Sequence, residues 1–425
     1  MEILQNHRLR ESIKIFEING LKVYVMEKQE FSDIYASFVV RYGSNDVSFK
    51  GNSDKNFKRY PLGIAHFLEH KMFDGDGNDD VFKKFSEIGA DVNAYTSFDV
   101  TNYYFSTVEN FENSIEQLCK MIYGIKLSDE SVEKEKLIIE QEIRMYDDDP
   151  YNKVYKNLLS KMYGEHPVKN DIAGDVNTIK QITKEHLMDC YNSFYSNDNM
   201  FLVVVGNVNA LNVREILYKH VGNKQNGKII REKFNGFDSI KEHYIEENFD
   251  MKIPTNILGF KEISSTTNYI KKLITFEIIR RLYFRATSDF YDMMYKRGII
   301  DGSYYTEYTN GFDYGHYILV GDGEKFKYLP ENLLDYYSKY DFNNDKENFE
   351  RIKKSMYGNY VNMFNSIENI SHLFVKLVKN NANLFDYFDE INKIQLDDVV
   401  YEFKSIFKES NMVYSKVNWF FRTKL

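Results

Sequence analysis

His66, Glu69 and His70 fall within "GIAHFLEHKMF", Gly63 to Phe73, so two of the chain's nine histidines lie within five residues. On a helix, positions i, i+3 and i+4 share one face, and these three side chains project together. Two imidazoles one turn apart can bind a single Zn²⁺, while the carboxylate between them stays available to take a proton from water. The order is His-x-x-Glu-His, the reverse of the commoner His-Glu-x-x-His, and it supplies the same parts. Burying Glu69 among Ile64, Phe67, Leu68 and Phe73 is costly without a partner, which a metal site would provide.

Catalytic zinc generally takes three protein ligands and keeps one position open. Glu142, in "EKEKLIIEQEIRMY", is the best third ligand, and Glu135 lies seven residues earlier, two turns up the same helix face. One of these carboxylates can bind metal while the other holds a histidine ring.

The elements that must position these residues follow from hydrophobic period. "LKVYVMEKQ" and "DIYASFVVRYG" alternate as adjacent strands, "GIAHFLEHKMF" and "DDVFKKFSEIG" read as helices, and "ADVNAYTSF" with "TNYYFSTV" reads as a strand pair. Ser128 is the expected N-cap of the helix through "DESVEKEKLIIEQEIRMY", whose end is marked by "DDDPYN". "NMFLVVVGNVN" suits a buried strand. After the polar "VGNKQNGK", the order strand, helix, strand, strand, helix partly recurs. The expected fold class is α+β, with two similar domains that each pack helices on a mostly antiparallel sheet. The expected boundaries are 1–222 for the zinc-binding domain, 223–240 for a linker and 241–425 for the second domain.

Composition narrows the function. The chain has 425 residues, long enough for two cores, and a net charge of −9 without a long basic block. That argues against a nucleic-acid binder, whose affinity rests on a basic footprint. No apolar run reaches eighteen residues, and the N-terminal stretch lacks an apolar leader core, so no membrane association is expected. Two cysteines, Cys119 and Cys190, are too few for a disulfide scaffold and suit the cytoplasm.

"HFLEH", "NAYTSFDVTNYYFSTV" and "VEKEKLIIEQEIRMYDDDP" together resemble the inverted-motif zinc peptidases of the pitrilysin family, which includes insulin-degrading enzyme and mitochondrial processing peptidase. "NMFLVVVGNVN" and "ILGFKE" extend the likeness over most of the chain, which is most similar to short two-domain bacterial members that work as paired chains. The resemblance implies His66, His70 and Glu142 as zinc ligands, Glu69 as general base and Glu135 as a supporting acid. It places Asn93, Ala94 and Thr96 where an edge strand receives an extended peptide by main-chain hydrogen bonding. The expected activity is that of a metalloendopeptidase acting on peptides or unfolded segments in a closed chamber, as the zinc-bearing half of a two-chain enzyme. A heterodimer is favoured over a homodimer, and leader-peptide or secreted-peptide processing is a candidate role. The rival is a non-catalytic peptide-binding or assembly subunit of the same fold.

Complete family members carry an Arg and, seven residues later, a Tyr that stabilise the oxyanion. Two alignments of "FYDMMYKRGIIDGSYYTEY" stand: one puts Tyr295 and Gly302 there, so both groups are missing, and the other gives Arg297 and Tyr304. In the first, a partner chain supplies them. "DGDGNDD", Asp74 to Asp80, has Asp79 where a calcium loop needs Gly, and is expected to be a turn that caps the next helix. His166, which also resembles a family position, is expected to be structural.

Overall fold

The computed structural model describes residues 1–51, 54–74, 80–224, 228–262 and 268–419. Among the described residues, strands in chain order are β1 (Glu2–Asn6), β2 (Glu11–Ile18), β3 (Leu21–Glu27), β4 (Ile34–Val40), β5 (Ser48–Gly51), β6 (Lys58–Arg59), β7 (Ala90–Thr96), β8 (Thr101–Thr107) and β9 (Met200–Gly206). They continue with β10 (Ile229–Arg231), β11 (Tyr244–Phe249), β12 (Thr255–Lys261), β13 (Tyr305–Asn310), β14 (Gly315–Asp322) and β15 (Met412–Trp419).

The chain forms two compact units, and each takes in a segment from the other half of the sequence. The first comprises Met1–Ile143, Asp171–Lys233 and Val361–Leu384; the second comprises Arg144–Asn170, Phe234–Tyr360 and Phe385–Leu425. The passage at Lys233–Phe234 falls inside the stretch expected to be linker, although residues 229–231 of that stretch form β10 against β5.

The first unit is built on a seven-stranded sheet in the order β1-β2-β3-β9-β4-β8-β7. β3 and β4 are therefore not neighbours, which corrects the sequence expectation. β9, "MFLVVVG", is buried at every position and lies between them, parallel to β3 and antiparallel to β4. A strand apolar on both faces belongs at a sheet centre, whatever its distance along the chain. The expected β7–β8 pair is antiparallel, and β7 closes the sheet as its edge. Helix Ile367–Val378, contributed by the second half of the sequence, lies on this sheet, with Phe374 edge-on to Tyr24 and His372 edge-on to Tyr35.

The second unit repeats the plan. Its sheet, β11-β15-β12-β14-β13, matches β3-β9-β4-β8-β7 in order and in the sense of every pairing, parallel first and antiparallel thereafter. Helix Pro150–Met162, from the first half, packs there and ties Ser415 Oγ to the Val154 carbonyl at 2.8 Å. Its own start follows the "DDDPYN" signal: Asp149 accepts from the Asn152 amide at 2.9 Å and Pro150 occupies the first turn.

The helix carrying the histidines starts at Gly63, whose φ is 83° and where a Cβ would sit 2.2 Å from the Ala173 carbonyl oxygen. Gly174, at φ 77°, returns the approach, since its Cβ would lie 2.7 Å from the Leu62 carbonyl oxygen. Only glycine accepts both the left-handed backbone and the contact. Gly63→Ala is expected to cost about 2 kcal/mol or more in urea unfolding, from left-handed strain plus a backbone clash.

In the second unit, Glu262 is buried with Lys272 at 3.4 Å, the Tyr308 hydroxyl donates to it, and Lys272 also reaches Glu402 at 3.6 Å. Burial raises the Glu262 carboxyl to about 7 against the opposing pull of Lys272 and Tyr308. The native state then holds a proton that the unfolded chain releases near its ordinary carboxylate value. The stabilisation is complete below that value and is lost as pH rises through 7. Relative to Glu262→Gln, the parent should lose on the order of 2–3 kcal/mol between pH 5 and pH 8, read from urea titrations across that range.

Candidate active site

The histidine-bearing helix spans Ile64–Phe73 and buries Ile64, Ala65, Phe67, Leu68 and Met72. That apolar face fixes its rotation and sends His66, Glu69 and His70 to one side. The two imidazole centroids are 4.5 Å apart. Facing them is helix Asp129–Asp147, anchored by buried Val132, Ile139 and Ile143. Ser128 caps it as expected, with its Oγ accepting from the Ser131 amide at 3.1 Å. The seven-residue spacing then turns Glu135 and Glu142 toward the histidines together.

The two glutamates play different parts. Glu135 Oε1 lies 2.9 Å from His70 Nδ1, a hydrogen bond that orients the ring and directs Nε2 into the cluster. Glu142 places Oε1 at 3.7 Å from His66 Nε2 and Oε2 at 3.4 Å from His70 Nε2. Ligand atoms of His66, His70 and Glu142 all lie within 4.8 Å of one another. Donors on a tetrahedral zinc, with bonds of about 2.0–2.1 Å, stand about 3.3 Å apart, so the residues present fit the ion. Burial, reinforced by the neighbouring His70, pulls His66 down to about 4 and keeps it in the neutral, ligating form. His70 is raised: burial pulls it down, but the Glu135 hydrogen bond and the charges of Glu135, Glu142 and Glu69 outweigh it.

Glu69 is only 8% exposed. Its Oε2 accepts from Thr96 Oγ1 at 2.5 Å, which pins the carboxylate to the last residue of the edge strand β7. Burial raises its carboxyl, against the Thr96 hydrogen bond and the nearby His70. Thr96 thus contacts the expected base directly, a role its place at a strand end did not reveal. Asn93 and Ala94 are on the same strand, and the Asn93 side chain accepts from the Ala94 amide at 2.8 Å. A pocket of about 410 Å³ opens beside Glu69 and His70, lined also by Phe73, Asp74, Phe82, Asn93, Ala94 and Glu135. Phe73 and Phe82 stack there at 4.7 Å between centroids.

Sequence reasoning missed Phe82, Asp74 and Lys71 as parts of this neighbourhood. The one signal for Lys71 was a lysine inside an apolar helix, where its side chain is fully enclosed. Asp80 caps the following helix, Val81–Glu87, as expected of the acidic turn, by accepting from the Phe82 amide at 2.9 Å; residues 75–79 of that turn lie outside the described residues.

Arg297 and Tyr304 belong to the second unit. Arg297 ends helix Asp289–Lys296 and donates to Asn332 Oδ1 at 2.7 Å. The Tyr304 hydroxyl is buried and has no hydrogen-bond partner among the described residues, while its ring lies edge-on to Tyr291. Tyr295, the alternative to Arg297, is exposed and stacks on Tyr291; Gly302, the alternative to Tyr304, has open space where a Cβ would be. His166 is buried between the Val168 amide and Asp313 Oδ1, each 3.1 Å away, and serves the packing of its own unit as expected.

Residues 57–176 match the family described as insulinase (peptidase family M16), and residues 181–356 match the peptidase M16 inactive domain. The chain is 34% identical over 388 residues to the uncharacterized zinc protease YmfH of Bacillus subtilis, with 90% of each chain covered. It is 25% identical over 419 residues to an uncharacterized zinc protease of Rickettsia felis, covering 94% of this chain and 96% of that one. Among solved structures, an M16-like peptidase from Alicyclobacillus acidocaldarius superposes with a TM-score of 0.90 at 31% identity, covering 97% of this chain and 99% of that one. A protease from Helicobacter pylori shares the fold, with a TM-score of 0.83 at 19% identity over 96% of this chain and 99% of that one. With two consecutive domain matches, a relative alike along nearly its whole length and a His-His-Glu cluster able to hold a metal, the chain belongs to peptidase family M16.

Proposed function

We propose that the chain is a zinc-dependent endopeptidase that cuts peptides or unfolded segments, with zinc held by His66, His70 and Glu142. The observation that carries this reading is the convergence of those three ligands within 4.8 Å beside a buried Glu69 fastened to the edge strand. Zinc, when bound, supplies Lewis acidity, making water more acidic and polarising a carbonyl oxygen. Glu69 takes the proton of the attacking water on its carboxylate and returns it to the leaving amine. Thr96 holds Glu69 Oε2 so that the carboxylate stays aimed during both transfers. Glu135 keeps the His70 ring in place by accepting a hydrogen bond from Nδ1–H on its Oε1. An extended peptide lies along β7, adding a strand by main-chain hydrogen bonds that tolerate many sequences.

The chain works as the zinc-bearing half of a heterodimer with a second pitrilysin-like chain. Support comes from the engagement of Arg297 with Asn332 and the buried Tyr304 hydroxyl, which leave an oxyanion donor to be supplied from elsewhere. Its two cysteines are buried free thiols, which suits action in the cytoplasm on leader-bearing or secreted peptides before export.

Glu69→Gln is expected to lower hydrolysis of a quenched fluorescent peptide library by about 10²–10⁴-fold while zinc stays stoichiometric, because only the proton carrier is lost. His66→Ala or Glu142→Ala should lose zinc as well as activity, measured by atomic absorption after dialysis. A Glu69→Gln chain that cleaves normally would overturn the assignment of the base. Mixed with a second pitrilysin-like chain that lacks zinc, the protein should gain activity at an equimolar end point. Full activity alone, abolished by Arg297→Ala or Tyr304→Phe, would instead place the oxyanion groups in this chain.

A further inference from the structure

Lys71 is the anomaly of the histidine-bearing helix. Its side chain has no solvent exposure, yet it follows His70 directly on a helix whose buried face is otherwise almost entirely apolar. A lysine is enclosed in this way only where anions or carbonyls receive it. Three groups do. Nζ pairs with the Asp74 carboxylate, donates to the Ser131 carbonyl at 3.2 Å, and stands 3.9 Å from Glu135 Oε2. Ser131 and Glu135 are one turn apart on helix Asp129–Asp147, so a single ammonium clamps that helix to the one bearing the histidines.

The consequence concerns which glutamate faces the metal. Glu135 and Glu142 share a helix face, and either carboxylate could serve as third ligand by residue type alone. Glu135 has both oxygens engaged: Oε1 with His70 Nδ1 at 2.9 Å and Oε2 toward Lys71. Glu142 instead has its two oxygens directed at the two Nε2 atoms. Resting on the metal-centre reading above, we propose that Lys71 is a positioning residue that selects the ligand set: it retains Glu135 on the histidine and leaves Glu142 to the metal. Without the ammonium, Glu135 Oε2 loses its counter-charge and the carboxylate is free to turn into the cluster and compete with Glu142. Lys71 also offsets part of the crowding. Four carboxylates, Glu69, Asp74, Glu135 and Glu142, meet one ammonium here, an excess of negative charge that suits a divalent cation.

The test uses the full chain loaded with zinc or cobalt(II). Lys71→Met, close in shape and apolar, should weaken zinc affinity by about tenfold in a chelator competition and alter the visible spectrum of the cobalt-loaded chain. Lys71→Arg should restore both readouts toward the parent. In a Glu135→Gln background the Glu135 charge that faces Lys71 is gone, so Lys71→Met should add less than about twofold, a coupling read by the double-mutant cycle. A purely structural lysine would lower the melting temperature of Lys71→Met but leave zinc affinity and the cobalt spectrum unchanged, and that result overturns the proposal. Equal losses from Lys71→Met in the parent and in the Glu135→Gln background overturn it too. If Lys71→Met does not fold, Lys71→Gln enters the same cycle. These readouts need metal binding and no peptide, so a chain that binds zinc but cleaves nothing refutes the peptidase reading alone, and a chain that binds no zinc refutes both.

Discussion

Three carboxylates and two imidazoles are held against one ten-residue helix, and this crowding of buried ionisable groups is the constraint on which the site depends. Burial raises the Glu69 carboxyl and drives His66 toward neutrality, so the site gathers groups that water would otherwise separate. Three of the five have a partner outside the metal-facing trio: Thr96 for Glu69, Glu135 for His70, Lys71 for Glu135. Glu142 and the two Nε2 atoms remain turned toward one another at distances longer than hydrogen bonds and suited to a shared cation.

The surrounding architecture supplies rigidity rather than chemistry. The Gly63–Ala173 approach fixes the start of the histidine-bearing helix, and β9 fills the centre of the sheet. The second unit has the same five-strand plan, yet its helix Tyr269–Ile279 carries Lys272 and Glu277 and no histidine. In place of a metal cluster, that helix takes part in the Lys272–Glu262 pair and in a Glu277 carboxylate clasped by Arg280 and Arg281. One fold thus carries two sets of side chains, and function follows the side chains.

The clustering of the candidate residues was legible because it obeys local rules. His66, Glu69 and His70 share a face by helical period, Glu135 and Glu142 by a seven-residue step, and β7 with β8 alternates as a hairpin should. What escaped was non-local. The insertion of β9 between β3 and β4 pairs residues 160–179 positions apart, and no local pattern encodes that partner choice. The exchange of helices Pro150–Met162 and Ile367–Val378 between the units depends in the same way on which apolar face finds which sheet. Thr96 reads from the sequence only as part of the peptide-receiving strand and Lys71 carries no expectation, since their value lies in the carboxylates they meet across the fold.

A crystal structure of the zinc-loaded protein, with diffraction measured on both sides of the zinc absorption edge, tests the central claim most directly. The account predicts one anomalous peak bonded to His66 Nε2, His70 Nε2 and a Glu142 oxygen at about 2.0–2.2 Å, with Glu135 still on His70 Nδ1 and Glu69 unbound to the ion. Zinc at another site, or an empty His-His-Glu cluster in saturating zinc, would contradict it.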